Sequence, residues 1–172
     1  MFIFRIKQNL LVLSLVFLVS HIFIFGQSPA ALDLEKIVYT FNNVSKYDES
    51  QKAILQFLKR NEITNEDRYY AYVYLSYTYK RLFDYSSTLS YLDQALDYGT
   101  RTDKKDFFIA NINCQKALSL FDIHRYHEAD SLMRFLALNN YQHLNEEYQS
   151  KIIMQEAYLH FLNKNYDEAE KR

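Results

Sequence analysis

The side chains that could carry out chemistry are few, and their arrangement argues against a reaction centre. His124 and His127 are three residues apart, and histidines three or four apart on one helix face can bind a metal ion. The pattern places His124 in a turn and His127 at a helix start, so the two need not share a face. A third ligand at useful spacing is missing from the sequence. We therefore expect no metal site and no cofactor.

The remaining candidates are a cysteine and a histidine. Cys114 has no lysine or arginine immediately beside it, whereas a nucleophilic cysteine needs a base partner and a lowered pKa. It is expected to be a small core or groove residue. His160 falls at an interior helix position and is expected to be a hydrogen-bonded core histidine. Because none of these groups has the partners that catalysis needs, the sequence predicts a protein that is not an enzyme.

The elements that hold these side chains are predicted to be helices. The 172 residues include only two glycines and one proline, whereas hairpins and phosphate-binding loops depend on glycine. A β-sandwich or barrel is therefore disfavoured, and a Rossmann fingerprint or a P-loop is excluded. We expect Asn65 and Asn145 to act as helix N-caps. The periodicity predicts eight helices, over 32–44, 48–60, 66–82, 85–97, 104–122, 127–139, 145–162 and 166–172.

The first 26 residues have the layout of a secretory signal peptide. A basic start with Arg5 and Lys7 is followed by an apolar stretch over 10–25, and Gly26 precedes a cleavage site before Gln27. The segment 28–30, Ser-Pro-Ala, offers a second cleavage site. The alternative is an uncleaved membrane anchor, although the stretch is shorter than the roughly 20 residues of a membrane span. No cysteine follows the apolar run, so a lipid anchor is excluded, and the expected location is the periplasm.

The charge of the processed chain argues against nucleic-acid binding. Removal of Arg5 and Lys7 lowers the count of basic residues from 20 to 18, against 21 acidic residues, so the net charge is about −3. The basic residues form no stripe that could neutralise phosphates. With Cys114 alone, the chain also has no internal disulfide.

Four tyrosines mark an internal repeat. Tyr47, Tyr85, Tyr126 and Tyr166 are separated by 38, 41 and 40 residues, and each stands three residues before a small residue. The second unit has the clearest pattern, since its first helix carries large, large, small and aromatic residues at one-face spacing. These are Tyr72, Leu75, Ser76 and Tyr79, and the second helix carries Tyr85, Thr88, Leu92 and Ala95. Leu75, Tyr79, Leu92 and Ala95 are expected to be largely buried, and Gly99 to form a left-handed helix cap.

This pattern resembles the tetratricopeptide repeat (TPR) family. The resemblance covers about residue 32 to the end, within a repeat domain placed at 27–172, and implies an all-α, right-handed α-solenoid of about four helix pairs after the signal peptide. The repeats are longer than is usual in the family. Lys116 and Glu156 put a charge just before the small residues Ala117 and Ala157, which suggests that those helices are rotated.

The family also implies a groove for a protein or peptide, lined by one stripe of each first helix. Some members clamp a peptide carboxylate there with lysine and asparagine, but Val73 and Tyr77 stand at those positions here, so an aromatic and aliphatic groove is expected. Self-packing of further repeats, or of a C-terminal segment, into this groove is an equal alternative. The implied groove residues are Tyr70, Val73, Tyr77, Lys80, Asn111, Cys114, Leu118, Phe121, Lys151, Met154, Tyr158 and Phe161.

The last predicted helix begins at Tyr166 and lacks the apolar positions that Leu92 and Ala95 fill in the second unit. We interpret the sequence as a piece of a longer protein. Proteins that resemble it often join exported repeats to a membrane helix and a regulatory domain, which implies a sensory region of a bacterial signalling protein. A structural adaptor in an envelope or secretion assembly is the alternative. A membrane would be involved only through the signal segment or a missing C-terminal part.

Overall fold

The computed structural model describes residues 27–171, and within that range it contains helices and no strand. This confirms the predicted all-α class and the approximate position of each predicted helix; the predicted signal segment lies outside the described residues. None of the described helices is long and apolar enough to cross a membrane. The helices are α1 Pro29–Asn43, α2 Tyr47–Leu58, α3 Asn65–Arg81, α4 Tyr85–Gly99, α5 Lys105–Asp122, α6 Tyr126–Asn139, α7 Glu146–Leu162 and α8 Tyr166–Glu170, with a 3-10 turn at Tyr141–His143 before α7.

The two predicted N-caps have different outcomes. Asn145 caps α7, since its side chain accepts a hydrogen bond from the backbone N–H of Tyr148 at 2.8 Å. Asn65 was the wrong residue, because it is the first residue inside α3 and the cap is Thr64. Thr64 and Asp67 form a reciprocal capping box, in which each side chain accepts from the other residue's backbone N–H.

The same turn recurs four times, at the spacing of the marker tyrosines. Ser45, Phe83, His124 and Lys164 have φ of 59°, 61°, 61° and 60°, in the left-handed region that non-glycine residues rarely adopt. After each of them, the next N–H donates to the carbonyl five residues earlier, at 2.9–3.0 Å, as in a Schellman motif. Each marker tyrosine then begins the following helix. The repetition read from the sequence is therefore present in the backbone.

Gly99 is not the left-handed cap that the sequence predicted. It is the last residue of α4, it is buried, and the following Thr100 has right-handed helical angles. A Cβ added at Gly99 would lie 3.0 Å from Phe108 Cβ and 3.0 Å from Tyr69 Cδ2. The residue is thus small because α3, α4 and α5 meet there.

Neighbouring helices bury one apolar cluster after another along the chain. Within each pair the helices contact one another, α2 also contacts α3, α4 contacts α5, α6 contacts α7, and α1 contacts α3. Leu75, Leu92 and Ala95 are buried, as predicted. Tyr79 is only half-buried, because its ring lies at the edge of the cluster against the ring of Tyr91, with centroids 5.2 Å apart.

The two charged residues that the repeat pattern did not accommodate, Lys116 and Glu156, are both half-buried. Lys116 of α5 is half-buried, and its ammonium lies 2.6 Å from a carboxylate oxygen of Asp93 on α4. Glu156 of α7 lines a cleft of 550 Å³ that also includes Arg134 of α6, but Arg134 pairs with Asp130 of its own helix at 2.8 Å. The Lys116 charge is tolerated because an opposite charge stands across the contact between α4 and α5.

A buried polar cluster joins the first three helices. The Asn42 amide is fully buried and donates from Nδ2 to Thr78 Oγ1 at 3.0 Å. Ser50 Oγ lies 3.3 Å from the same oxygen, and the Thr78 hydroxyl donates to the Tyr74 carbonyl at 2.9 Å. Thr78 therefore links α1 and α2 to α3 through hydrogen bonds that are shielded from water.

Replacing Thr78→Val is expected to destabilise the fold by about 1–3 kcal/mol, because the buried Asn42 amide loses its partner while the side-chain volume is kept. Urea unfolding followed by circular dichroism measures the change. Thr40→Val is the matched control, since that hydroxyl is exposed and bonds only within α1, to the Lys36 carbonyl. Equal effects of the two substitutions would show that the buried cluster contributes nothing specific.

Candidate partner-binding surface

Side chains of the first helix of each pair meet in succession along one side of the protein. The rings of Tyr39 on α1 and Tyr77 on α3 lie edge to face with centroids 5.5 Å apart. Lys80 on α3 forms an ion pair with Asp122 at the end of α5, at 2.8 Å. The rings of Phe121 on α5 and Tyr158 on α7 lie 5.6 Å apart. We call this the first-helix surface, and define it by Tyr39, Tyr77, Lys80, Leu118, Phe121, Lys151, Met154, Tyr158 and Phe161.

A cavity of 220 Å³ opens at the centre of the first-helix surface. Four of the residues implied by the repeat resemblance line it, and they come from three different helices: Tyr77, Lys80, Leu118 and Lys151. Its lining also includes Gln115 and Tyr148. The ammonium of Lys151 is held by Glu147 at 2.5 Å and lies over the ring of Tyr148. Aromatic walls and charges already paired at the rim make this a mainly apolar opening.

The α7 end of the first-helix surface is the most open. Met154 is 63% exposed, Tyr158 is 45% exposed and Phe161 is 56% exposed. The residue that corresponds to Met154 one repeat earlier is Cys114, which is fully buried. Large apolar side chains that lie side by side and exposed indicate a contact surface more strongly than scattered ones do.

Four of the implied groove residues face inward or are taken up by local contacts. Cys114 lies in the core, and Val73 packs against the cluster around Leu92. Tyr70 is half-buried, with its ring 5.0 Å from that of Tyr69 and 5.8 Å from that of Phe108. Asn111 accepts a hydrogen bond from Gln115 Nε2 at 2.5 Å. Cys114 is therefore buried, and the other three are half-buried residues engaged in local contacts.

The cysteine is unsuited to nucleophilic chemistry. Burial raises the pKa of the Cys114 thiol to about 12, although Lys151 and Lys80 act in the opposite direction. The same burial raises the pKa of the neighbouring Tyr148 hydroxyl to about 12. Both groups are therefore protonated and uncharged at neutral pH, and they serve as packing residues behind the cavity.

The histidines are placed partly as the sequence indicated. His124 lies in the third of the repeated turns, where Nδ1 is 2.6 Å from the hydroxyl of Tyr126, and His127 lies exposed on α6. The prediction of a core position for His160 was wrong, since it is half-buried in the cleft between α6 and α7. Within residues 27–171, no group of three or more histidine, cysteine, aspartate or glutamate side chains could hold a metal ion.

Sequence reasoning missed two aromatic residues of this region. Tyr39 could have been found, because it stands 38 residues before Tyr77, at the same position of the first repeat. Tyr148 gave no such signal, since its equivalent one repeat earlier is the buried Phe108. Its place beside the cavity follows from the position of α7 in the fold, which a sequence pattern does not specify.

In comparisons with protein-family models, with curated proteins and with solved structures, the chain matches none of them.

Proposed function

We propose that this chain is a TPR-like scaffold that binds a peptide or protein partner on its first-helix surface. The observation that carries the proposal is a row of half-buried and exposed aromatic side chains on successive first helices. Tyr39 and Tyr158 are exposed, and Tyr77 and Phe121 are half-buried beside them. A stack of similar helix pairs turns such a row into an extended surface, and this is how α-solenoids engage their partners.

Two features support a right-handed solenoid of about four helix pairs. The four turns with left-handed residues share one backbone geometry at near-constant spacing. Helices contact their neighbours in sequence, and α1 contacts α3, which is the connectivity expected when each repeat touches only the adjacent ones.

The chemistry of the surface favours a protein partner with apolar or aromatic side chains. Five of the nine residues that define the surface are tyrosine or phenylalanine, and aromatic residues contribute most to protein interfaces. The lysines Lys80 and Lys151 form ion pairs with Asp122 and Glu147 at the rim. Because their charges are already paired, they contribute to the choice of partner more than to the binding of a strongly charged ligand.

We further propose that the protein acts outside the cytoplasm, as the sensory or interaction region of a bacterial signalling protein. The sequence of residues 1–26, with its basic start and apolar stretch, is the basis for the proposed export. A scaffold that adapts parts of an envelope or secretion assembly would use the same surface, so the identity of the partner distinguishes the two roles.

Site-specific photocrosslinking in cells tests the proposed surface. A photoreactive phenylalanine analogue replaces Met154 or Tyr158 on the surface, and Phe135 or Leu138 on α6 as exposed controls outside it. The proposal predicts a crosslinked species of defined mass from the two surface positions, absent from the two control positions. Crosslinking of equal strength from all four positions would contradict it. A signalling protein in the crosslinked species supports sensing, and a structural envelope protein supports the adaptor role.

A further inference from the structure

The first described residues are built into the fold. Ser28 is the N-cap of α1, and its side chain accepts a hydrogen bond from the Ala31 N–H at 3.1 Å. Pro29 occupies the first helical position, where a missing N–H removes no helix bond. Ala31 is fully buried. The start of α1 therefore depends on residues that precede it.

Two long-range hydrogen bonds fasten this segment to α3. The Ser28 hydroxyl donates to Asp67 Oδ1, and the Tyr74 hydroxyl donates to Gln27 Oε1 at 3.3 Å. Asp67 is buried, and its other oxygen accepts from the Thr64 N–H at 2.9 Å. Burial alone would raise the pKa of Asp67, but the hydrogen bonds from Ser28 and Thr64 hold it below its ordinary value. Loss of Ser28 would leave a buried carboxylate oxygen without its partner, which is unfavourable.

These contacts distinguish between the two cleavage sites that the sequence offers. Cleavage after Ala30 would remove Gln27 and Ser28 together with both bonds to α3, whereas cleavage before Gln27 keeps them. We propose that the exported chain begins at Gln27, and that Gln27 then closes to an N-terminal pyroglutamate that remains docked on Tyr74. The inference rests on the proposed export.

The cyclisation of an N-terminal Gln27 to pyroglutamate needs no reagent beyond the residue itself. The α-amine nitrogen attacks the side-chain amide carbon Cδ and forms the C–N bond of a five-membered lactam. The bond from Cδ to the amide nitrogen breaks, and that nitrogen leaves as ammonia with a proton from the amine. The carbonyl oxygen stays on the ring and remains available as a hydrogen-bond acceptor for Tyr74. The product has no charged terminus, which suits the half-buried position of Gln27.

Mass spectrometry of the exported protein tests the proposal. The full chain with its own leader is produced in a bacterium that exports it, and the intact mass and the N-terminal peptide are measured on the periplasmic fraction. The expected mass is that of residues 27–172 less one ammonia, and pyroglutamyl peptidase is expected to release the blocked residue. Gln27→Asn is the matched control, because it keeps a side-chain amide but cannot close the same ring. That variant should begin at residue 27 with a free amine.

The other outcomes overturn separate parts of the inference. A product beginning at Ala31 overturns the assigned cleavage site. A product beginning at Gln27 with a free amine overturns the cyclisation. A chain that keeps residues 1–26 overturns the proposed export with cleavage, and with it both the Gln27 terminus and its cyclisation.

Discussion

Ala95→Phe is expected to lower the stability of the protein by about 1–3 kcal/mol, because a buried position with no free space would receive a large ring. Ala95 is fully buried in the cluster that joins α3, α4 and α5, together with Tyr69, Leu92 and Phe108. Gly99 on the same helix already lies against Tyr69 and Phe108, so α4 has little room to move away. The loss should appear as a lower melting temperature and a lower urea midpoint.

Lys59→Ala serves as the control for this substitution. Lys59 is exposed just after α2, so its truncation should change the stability by less than about 0.5 kcal/mol. If the protein tolerated both changes equally well, Ala95 would not be the close helix contact described above.

The amides of α7 are expected to exchange with solvent roughly tenfold faster than those of α3, or more, in a dilute sample. Seven residues of α3 are buried, among them Tyr74 and Leu75, whereas the buried residues of α7 are Ile152 and Leu159. A helix that buries few side chains opens locally at a lower free energy than one that buries many. Hydrogen exchange followed by mass spectrometry resolves the two helices.

The same experiment at two protein concentrations tests self-association. Met154, Phe161 and Leu162 leave apolar surface exposed on α7, and a second molecule could cover it. Slower exchange of α7 at the higher concentration is therefore expected, with α3 unchanged. Equal protection of α3 and α7 in a monomeric sample would contradict this account of α7.

Helix periodicity and repeat spacing made most of the fold predictable from the sequence. Leu75 on α3, and Leu92 with Ala95 on α4, belong to the one-face pattern of their helices and are buried, whereas Tyr79 of the same pattern is only half-buried. The marker tyrosines locate the turns because a helix begins at each of them. The backbone conformation of these turns was not predictable, because Phe83 and His124 adopt left-handed φ angles although neither is glycine. Their hydrogen bonds and the packing of both flanking helices stabilise a conformation that residue type disfavours.

The surface was less predictable because it depends on how helices cross. The repeat pattern implied Tyr77, Phe121 and Tyr158. Their helices are linked by the ion pair of Lys80 with Asp122 and by the ring contact of Phe121 with Tyr158. It also implied Cys114, which lies in the core among buried residues of α5, α6 and α7. The ion pair of Lys116 with Asp93 likewise forms only where two helices meet. The sequence therefore indicated a charge at Lys116 but not the residue that pairs with it.

The central claim is that the first-helix surface binds the partner, and affinity measurements on surface variants test it most directly. The partner identified by crosslinking is titrated against the wild type, against Tyr77→Ala with Tyr158→Ala, and against Phe135→Ala with Leu138→Ala on α6. We expect the first pair to weaken binding by about tenfold or more, since buried aromatic residues dominate interface energies, and the second pair to change it by less than about twofold. Unchanged affinity in the first pair, or an equal loss in both, would contradict the claim.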